Sequence, residues 1–139
     1  MDMKLELVIV PVTDVDRAKA FYVDQLGFHL DVDHRPSEQF RVVQMTPPGS
    51  ACSITVGVGI GGGEPGSVRG LHLVVSDIEA AHAYLLEHGV EASAVFHFGP
   101  DGRADGPDPG RGNYNSFITF DDPDGNGWVV QEVHRDADG

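Results

Sequence analysis

The stretch VTDVDRA at residues 12–18 returns as VSDIEAA at residues 75–81. Each copy follows an apolar run and precedes a predicted helix, and each predicted helix stops at a glycine, Gly27 or Gly89. The aspartate of each copy takes the N-cap position, where a carboxylate accepts hydrogen bonds from unpaired backbone N–H groups. A unit of about half the chain that occurs twice predicts two similar modules.

The composition bounds the class of protein. The chain has 139 residues, 40% of them hydrophobic and 22% charged, which is ordinary for one globular domain. Its single cysteine excludes an internal disulfide, and its start lacks the pattern of a signal peptide. The net charge of -13 repels phosphate backbones and anionic lipids. We therefore expect a cytoplasmic protein that binds no nucleic acid and no membrane, and whose partner is a small molecule.

The hydrophobic periodicity predicts the same βαβββ order of elements in both halves. In the first half, a helix begins after Asp14 and runs to about Leu26, and strands are predicted at 4–12, 28–34, 40–45 and 52–59. In the second half, a helix begins after Asp77, and strands are predicted at 69–75, 91–98, 115–120 and 127–134. One domain of 1–139 results, composed of module one at 1–59, a Gly-rich connector at 60–67 and module two at 68–139.

Three quoted segments together resemble a known family. They are VTDVDRAKAFYVDQLGF at 12–28, VSDIEAAHAYLLEHGV at 75–90 and DPDGNGW at 122–128. With the paired βαβββ pattern they are similar to the vicinal oxygen chelate superfamily, which includes glyoxalase I, bleomycin resistance proteins, fosfomycin resistance enzymes and extradiol dioxygenases. The resemblance implies an α+β fold in which two curled mixed sheets form a cleft, with the helices on the outer faces. It also implies a homodimer, since many members dimerise.

The ligand positions of the metal-dependent members hold unsuitable residues here. Residue by residue, the resemblance assigns those positions to Leu7, Gly70, Thr55 and Val129. Leu and Val side chains offer no lone pair to a divalent ion, so we expect no metal and no other cofactor. A displaced divalent metal near His72, with Gln131 as a second donor, stays open as the alternative.

Strand alternation assigns side chains to the predicted cleft. In the strand at 69–75, Leu71 and Leu73 would face the helix, and His72 would face the cleft. Matching the other strands to the family's pattern and adding residues at the loop 99–113 gives the predicted ligand-binding set: His72, Thr55, Gln131, Leu7, Tyr114, Phe117, His97 and Arg111. The catalytic residues, if there are any, are unknown, and the candidates are His72 and His97.

The segment 99–113 is longer than a hairpin needs, and loops of this length are often lids or binding loops. Its two arginines, Arg103 and Arg111, either close over oxygen atoms of a ligand or pair with nearby acids of the same loop, namely Asp101, Asp105 and Asp108. The segment 122–127, with Asp122, Asp124, Asn126 and Gly127, imitates the start of a calcium loop but lacks the flanking helices, so we predict a tight turn into the last strand.

Two functions from different classes follow. The first is a metal-free binding protein that sequesters an apolar or cationic metabolite or antibiotic in the cleft between the modules. The second is a lyase, isomerase or dioxygenase-like enzyme that acts on a small oxygenated metabolite. The enzyme would use a displaced metal, or His72 or His97 as its acid or base. The apolar cleft and the acidic charge favour binding.

Overall fold

The chain divides into two compact units. This is seen in a computed structural model, which describes residues 1–135. The first unit comprises Met1–Val68 and Asp122–Asn126, and the second comprises Arg69–Asp121 and residues 127–135. The division therefore falls at the end of the Gly-rich connector, except that a short turn late in the sequence belongs to the first unit.

The first unit is a four-stranded mixed sheet with one α-helix. Its elements are β1 Leu7–Ile9, α1 Val15–Ala20, β2 His29–Ser37, β3 Phe40–Thr46 and β4 Ser53–Val58. The strand order is β1-β4-β3-β2, with β1 parallel to β4 and the other pairs antiparallel. The strand β1 is shorter than predicted, and β2 continues through Pro36. An edge strand tolerates a proline because one side of it makes no ladder hydrogen bonds.

The helix of the first unit begins as predicted but ends differently. Oδ1 of Asp14 accepts a hydrogen bond from the backbone N–H of Arg17 at 3.0 Å, which confirms the predicted N-cap. The α-helical geometry stops at Ala20, and Phe21–Gln25 forms a π-helical turn. The chain then leaves through Gly27, whose φ of 81° lies in the left-handed region that favours glycine.

The turn at 122–126 is fastened within the first unit by buried side chains. Oδ2 of Asp122 accepts hydrogen bonds from the Tyr22 hydroxyl and from Nδ2 of Asn126, both at 2.8 Å. Oδ1 of Asp122 accepts the backbone N–H groups of Asp124 and Asn126, each at 2.9 Å. The predicted tight turn is confirmed, and protein donors satisfy its buried carboxylate.

The Gly-rich connector is packed against the first unit. A Cβ atom at Gly62 would lie 2.5 Å from Cγ2 of Ile9, closer than any side chain tolerates. A Cβ atom at Gly66 would lie 2.2 Å from the carbonyl oxygen of Asp124. Glycine is required at these two positions because the backbone itself approaches β1 and the turn at 122–126.

The second unit is a five-stranded mixed sheet with one helix. Its elements are β5 Leu71–Val75, α2 Ile78–Glu87, β6 Phe96–Gly99, β7 Gly102–Asp105, β8 Phe117–Asp121 and β9 Gly127–Glu132. The strand order is β5-β9-β8-β6-β7, with β5 parallel to β9 and the other pairs antiparallel. The predicted cap of α2 is confirmed, since Asp77 accepts hydrogen bonds from the N–H groups of Glu79 and Ala80. No helix within residues 1–135 has the length and apolar character needed to cross a bilayer.

The strand β7 differs from the prediction of one long loop at 99–113. It pairs with β6 in a hairpin in which Phe98 is level with Arg103 and Gly99 with Gly102. The sequence of β7, Gly-Arg-Ala-Asp, has little intrinsic strand preference, so pairing with β6 decides its conformation. The remaining loop, 106–116, is shorter than the predicted one.

Candidate functional site

The sheet of the second unit carries α2 on one face. Trp128 and Val130 of β9 are buried, and the buried Glu132 accepts a hydrogen bond from the N–H of Ile78 at 2.9 Å. Ile78 is the first residue of α2. Because side chains alternate along a strand, Gln131 projects from the opposite face. Several residues of the predicted ligand-binding set lie on that opposite face.

Three phenylalanines lie on the face opposite α2, and we call it the aromatic face, defined by Phe96, Phe98 and Phe117. Phe117 is level with Gln131 in β9 and with Phe96 in β6. The rings of Phe96 and Phe117 are stacked at 5.5 Å between centroids, and Phe98 meets them edge-on at 6.0 and 5.6 Å. Phe98 remains 54% exposed, so part of this surface is open to a flat molecule.

Arg103 of β7 lies over the aromatic face. Its Cζ atom is 3.7 Å from the centroid of the Phe96 ring, well inside the range of a cation–π contact. From the sequence, the alternatives for this arginine are ligand oxygen atoms and nearby aspartates, whereas the structure gives it an aromatic partner. The hairpin β6–β7, which was not predicted, is what brings the guanidinium to the ring.

His72 lies on the same side of the sheet as the aromatic face. His72 is exposed and is level with Val129 of β9, which lies two residues before Gln131 and on the same face of the sheet. Its Nδ1 atom lies 2.6 Å from the carbonyl oxygen of Gly70, so this nitrogen carries the proton that makes the hydrogen bond. The neutral ring then presents Nε2 as an acceptor.

His97 lies on the other side of β6. Neighbouring residues of a strand project in opposite directions, so His97 is separated from Phe96 and Phe98. Its Nδ1 atom lies 2.8 Å from the carbonyl oxygen of Gly106, and the side chain is half-buried. The structure therefore does not bring together His72 and His97, the two histidines that the sequence analysis assigned to the cleft.

The backbone of Tyr114 lies beside Gln131, which is level with Phe117 of the aromatic face. The carbonyl oxygen of Tyr114 accepts a hydrogen bond from Nε2 of Gln131 at 3.2 Å, and its N–H donates to the carbonyl of Glu132 at 2.9 Å. Its φ is 69°, an uncommon value for a residue with a Cβ atom, and its side chain is 56% exposed. Of the predicted set, the structure thus places Tyr114, Gln131, Phe117 and His72 in one part of the second unit.

The guanidinium of Arg111 is occupied by acids of β9 and α2. Nε and Nη2 donate to the two carboxylate oxygens of Glu132 at 3.1 and 2.6 Å. Nη1 donates to Glu79 at 2.7 Å, and Nη2 lies 3.3 Å from Asp77. The hydrogen bonds from Arg111 lower the pKa of Glu132 from 4.5 to about 2, assisted by the N–H of Ile78 and opposed by burial. The aspartates of its own loop, one of the two alternatives that the sequence left open for Arg111, are therefore not the partners of its guanidinium among residues 1–135.

In the first unit, Leu7 and Thr55 share the sheet face opposite α1. Leu7 is level with Ser53, and Ile9 is level with Thr55. Thr55 is 3% exposed, and its Oγ1 atom is buried with no hydrogen-bond partner among residues 1–135. A buried hydroxyl without a partner is unfavourable, so a ligand or water atom here would be stabilising.

A hydrogen-bonded chain of four side chains lies at one end of the same sheet. Nδ1 of His29 is 2.8 Å from Oδ1 of Asp31, and the Thr46 hydroxyl donates to Oδ2 of Asp31. Oγ of Ser53 is 2.6 Å from Oγ1 of Thr46. The hydrogen bonds from Thr46 and His29 lower the pKa of Asp31. This hydrogen-bonded chain is not evident from the sequence, because it depends on the register of three strands.

Of the four residues at the family's metal positions only Thr55 has a donor atom, and a single neutral hydroxyl does not suffice for a divalent ion. The side chains of Leu7 and Val129 are hydrocarbon, and Gly70 has none. Within residues 1–135, no group of three or more His, Cys, Asp or Glu side chains is arranged to hold a metal. The displaced alternative, His72 with Gln131, lacks a carboxylate, and the Gln131 amide already donates to Tyr114.

The strand orders of the two sheets and the two aspartate-capped helices match the paired modules that the family resemblance implies. The model of the Glyoxalase/Bleomycin resistance protein/Dioxygenase superfamily matches residues 4–130. The chain therefore belongs to this superfamily, which is the family that the sequence analysis identifies by its motifs. The α+β fold that the resemblance implies is also confirmed, as two mixed sheets of four and five strands.

Three solved structures are similar to this protein over nearly the whole chain. TnmS3, an antibiotic binding protein from Streptomyces sp. CB03234, is 32% identical with a TM-score of 0.73, over 96% of this chain and 98% of that one. A glyoxalase/bleomycin resistance protein from the same organism is 34% identical with a TM-score of 0.69, over 92% and 99%. A member from Sphaerobacter thermophilus DSM 20745 is 28% identical with a TM-score of 0.72, over 94% and 98%. A search of curated proteins finds no match.

Proposed function

We propose that this chain is a metal-free binding protein that sequesters an apolar or cationic small molecule, a metabolite or an antibiotic, on the aromatic face of its second unit. The observation that carries the proposal is the cluster of Phe96, Phe98 and Phe117, whose rings are in contact with one another and of which Phe98 is exposed. Aromatic rings bind flat ligands by stacking and by burial of apolar area, and this requires no reacting group.

The charge of the chain supports a cationic ligand. The Phe96 ring already accepts one cation, the guanidinium of Arg103. The net charge of -13 adds a long-range field that attracts cations from solution. A flat cationic ligand would therefore gain from the ring quadrupoles and from the field, and it would replace Arg103 at the ring.

Similar proteins support a binding role. The antibiotic binding protein TnmS3 is 32% identical to this chain over 96% of its length. Residues at the metal positions of the family offer no suitable donors, which favours binding over metal-dependent chemistry. The homodimer and the cytoplasmic location that the sequence analysis expects are consistent with this role and stay predictions.

The proposal is tested with a planar cationic dye, proflavine. Its fluorescence and the heat of mixing are measured as the purified protein is titrated into the dye. We expect saturable binding, and we expect Phe98→Ala to weaken it by about tenfold because the most exposed ring of the face is lost.

The matched control for this experiment is Leu86→Ala. Leu86 is an equally exposed apolar residue, at 54%, but it lies on α2, away from the aromatic face. It should leave the affinity for proflavine unchanged. Equal losses in both variants would mean that the dye binds to apolar surface in general, and the proposed site would be wrong.

A further inference from the structure

Backbone strain in the second unit is concentrated in one short segment. Within residues 1–135, Arg111 and Tyr114 are the only residues other than glycine with positive φ, at 50° and 69°. A residue with a Cβ atom adopts this conformation only where surrounding contacts hold it, and such positions often lie beside ligands. The two strained residues bracket Gly112 and Asn113, so we call 111–114 the strained segment.

The side chain of Arg111 anchors the first end of the strained segment. It donates two hydrogen bonds to Glu132, whose side chain is fully buried and also accepts the N–H of Ile78. A planar guanidinium with two parallel hydrogen bonds to a carboxylate fixes both position and direction, which a lysine does not do. Arg111 is thereby tied to the end of β9 and to the start of α2.

Backbone and short side-chain contacts anchor the rest of the strained segment. The N–H of Gly112 donates to Oδ2 of Asp108 at 2.9 Å. Oδ1 of Asn113 accepts the N–H of His134 at 2.6 Å. Both backbone polar groups of Tyr114 are paired with β9 residues, while its ring is exposed. The contacts therefore hold the backbone and leave the ring able to meet a ligand.

We propose that Arg111 is a positioning residue. Its paired hydrogen bonds with Glu132 hold the strained segment so that the ring of Tyr114 stands at the border of the aromatic face. There the ring closes over a flat ligand. This inference rests on the proposed function, because the ligand is the one bound at Phe98 and Phe117. Arg111, which the sequence places in the predicted ligand-binding set, then acts on the ligand through Tyr114 and makes no contact with the ligand itself.

A measurement without ligand tests the positioning directly. The chain contains three tyrosines, Tyr22, Tyr84 and Tyr114, which are replaced uniformly by 3-fluorotyrosine and observed by fluorine NMR. The Tyr114 resonance is assigned with Tyr114→Phe. In Arg111→Lys we expect this resonance to shift or broaden while the other two stay in place. Arg35→Lys, at an exposed residue of β2, is the matched control and should change none of them.

A double-mutant cycle with proflavine tests whether Arg111 acts on the ligand through Tyr114. We expect Arg111→Lys and Tyr114→Ala each to weaken binding by about tenfold. In the Tyr114→Ala background, Arg111→Lys should have little further effect, since its route to the ligand is gone. A merely structural role would lower the melting temperature and weaken binding equally in both backgrounds. Glu132→Gln, which removes the charge partner and keeps the shape, replaces Arg111→Lys if the latter does not fold.

The outcomes separate this inference from the proposed function. If the Tyr114 resonance is unchanged in both Arg111→Lys and Glu132→Gln, the positioning role is overturned, whatever the dye does. If the resonance moves but the unaltered protein binds no proflavine, the strained segment is positioned as we propose and the proposed ligand class is wrong. Additive losses in the cycle would mean that Arg111 affects binding by a route other than Tyr114, and they would also overturn the inference.

Discussion

The hydroxyl of Tyr22 donates a hydrogen bond to Oδ2 of Asp122 at 2.8 Å, although the two residues are 100 positions apart in the chain. Both side chains are buried, and the contact joins the π-helical turn to the turn at 122–126 within the first unit. A buried carboxylate depends on its donors, because it has lost the water that would otherwise hydrogen-bond to it.

Replacing Tyr22 by phenylalanine should therefore lower the free energy of unfolding by about 1 to 3 kcal/mol. The substitution keeps the ring and removes one donor to Asp122. Urea denaturation followed by circular dichroism measures the change. Tyr114→Phe, which removes a hydroxyl from an exposed residue, is the control and should stay within about 0.5 kcal/mol. A Tyr22→Phe protein as stable as the unaltered one would contradict the role of this contact.

Acid should weaken the second unit through Glu132. Its folded pKa of about 2 lies below the ordinary 4.5, so its ionised form stabilises the folded state above pH 4.5. That contribution is lost as the pH falls from 4.5 towards 2. Glu132→Gln should lower the melting temperature at pH 7 by roughly 5 °C or more, and the difference from the unaltered protein should shrink below pH 4.5. A difference that is constant between pH 7 and pH 3 would exclude this linkage.

Metal removal should have no effect on stability. The side chains of Leu7 and Val129 offer no donor atom to an ion. The purified protein should carry no stoichiometric divalent metal by elemental analysis, and its melting temperature should be indifferent to EDTA. An ion bound only to the native state would stabilise it by mass action. A loss of several degrees in EDTA would therefore show that a displaced site exists.

The affinity for ligands should depend on charge and on salt. Proflavine, a flat cation, should bind more tightly than the flat anion 9-anthracenecarboxylate. The difference between the two affinities should decrease as added salt screens the acidic field of the chain. Calorimetry of both compounds at low and at physiological ionic strength measures it. Equal affinities for the two compounds would mean that the net charge does not contribute to ligand binding and affects only solubility.

His72 should contribute to ligand binding. Its ring is exposed on the same side of the sheet as Phe117, and its Nε2 atom faces away from the hydrogen bond with Gly70. His72→Ala should weaken ligand binding by ~1 to 3 kcal/mol and leave the fold unchanged. His88→Ala, at the end of α2, is the control. If a substrate were found and His72→Ala preserved its binding while turnover fell ~100-fold or more, His72 would be an acid or base and the protein an enzyme.

The repeated segments by themselves determined the fold class. Asp14 and Asp77 cap helices through N–H groups within three residues, and Gly27 and Gly89 end helical segments through their own positive φ. These interactions are local, so the sequence pattern carries them. The alternation that puts His72 opposite the helix side of β5 is equally local.

Only the tertiary structure decided the partners of the site residues. Arg111 has acidic residues close by in its own loop, yet it binds Glu132, Glu79 and Asp77. The choice among 22 acidic side chains depends on how β9 and α2 pack, and no neighbour in the sequence reports that packing. The same reason applies to β7, whose sequence has little strand preference and whose pairing with β6 carries Arg103 to the Phe96 ring. Contacts of this kind follow from strand register and packing across the unit, which local propensity does not encode.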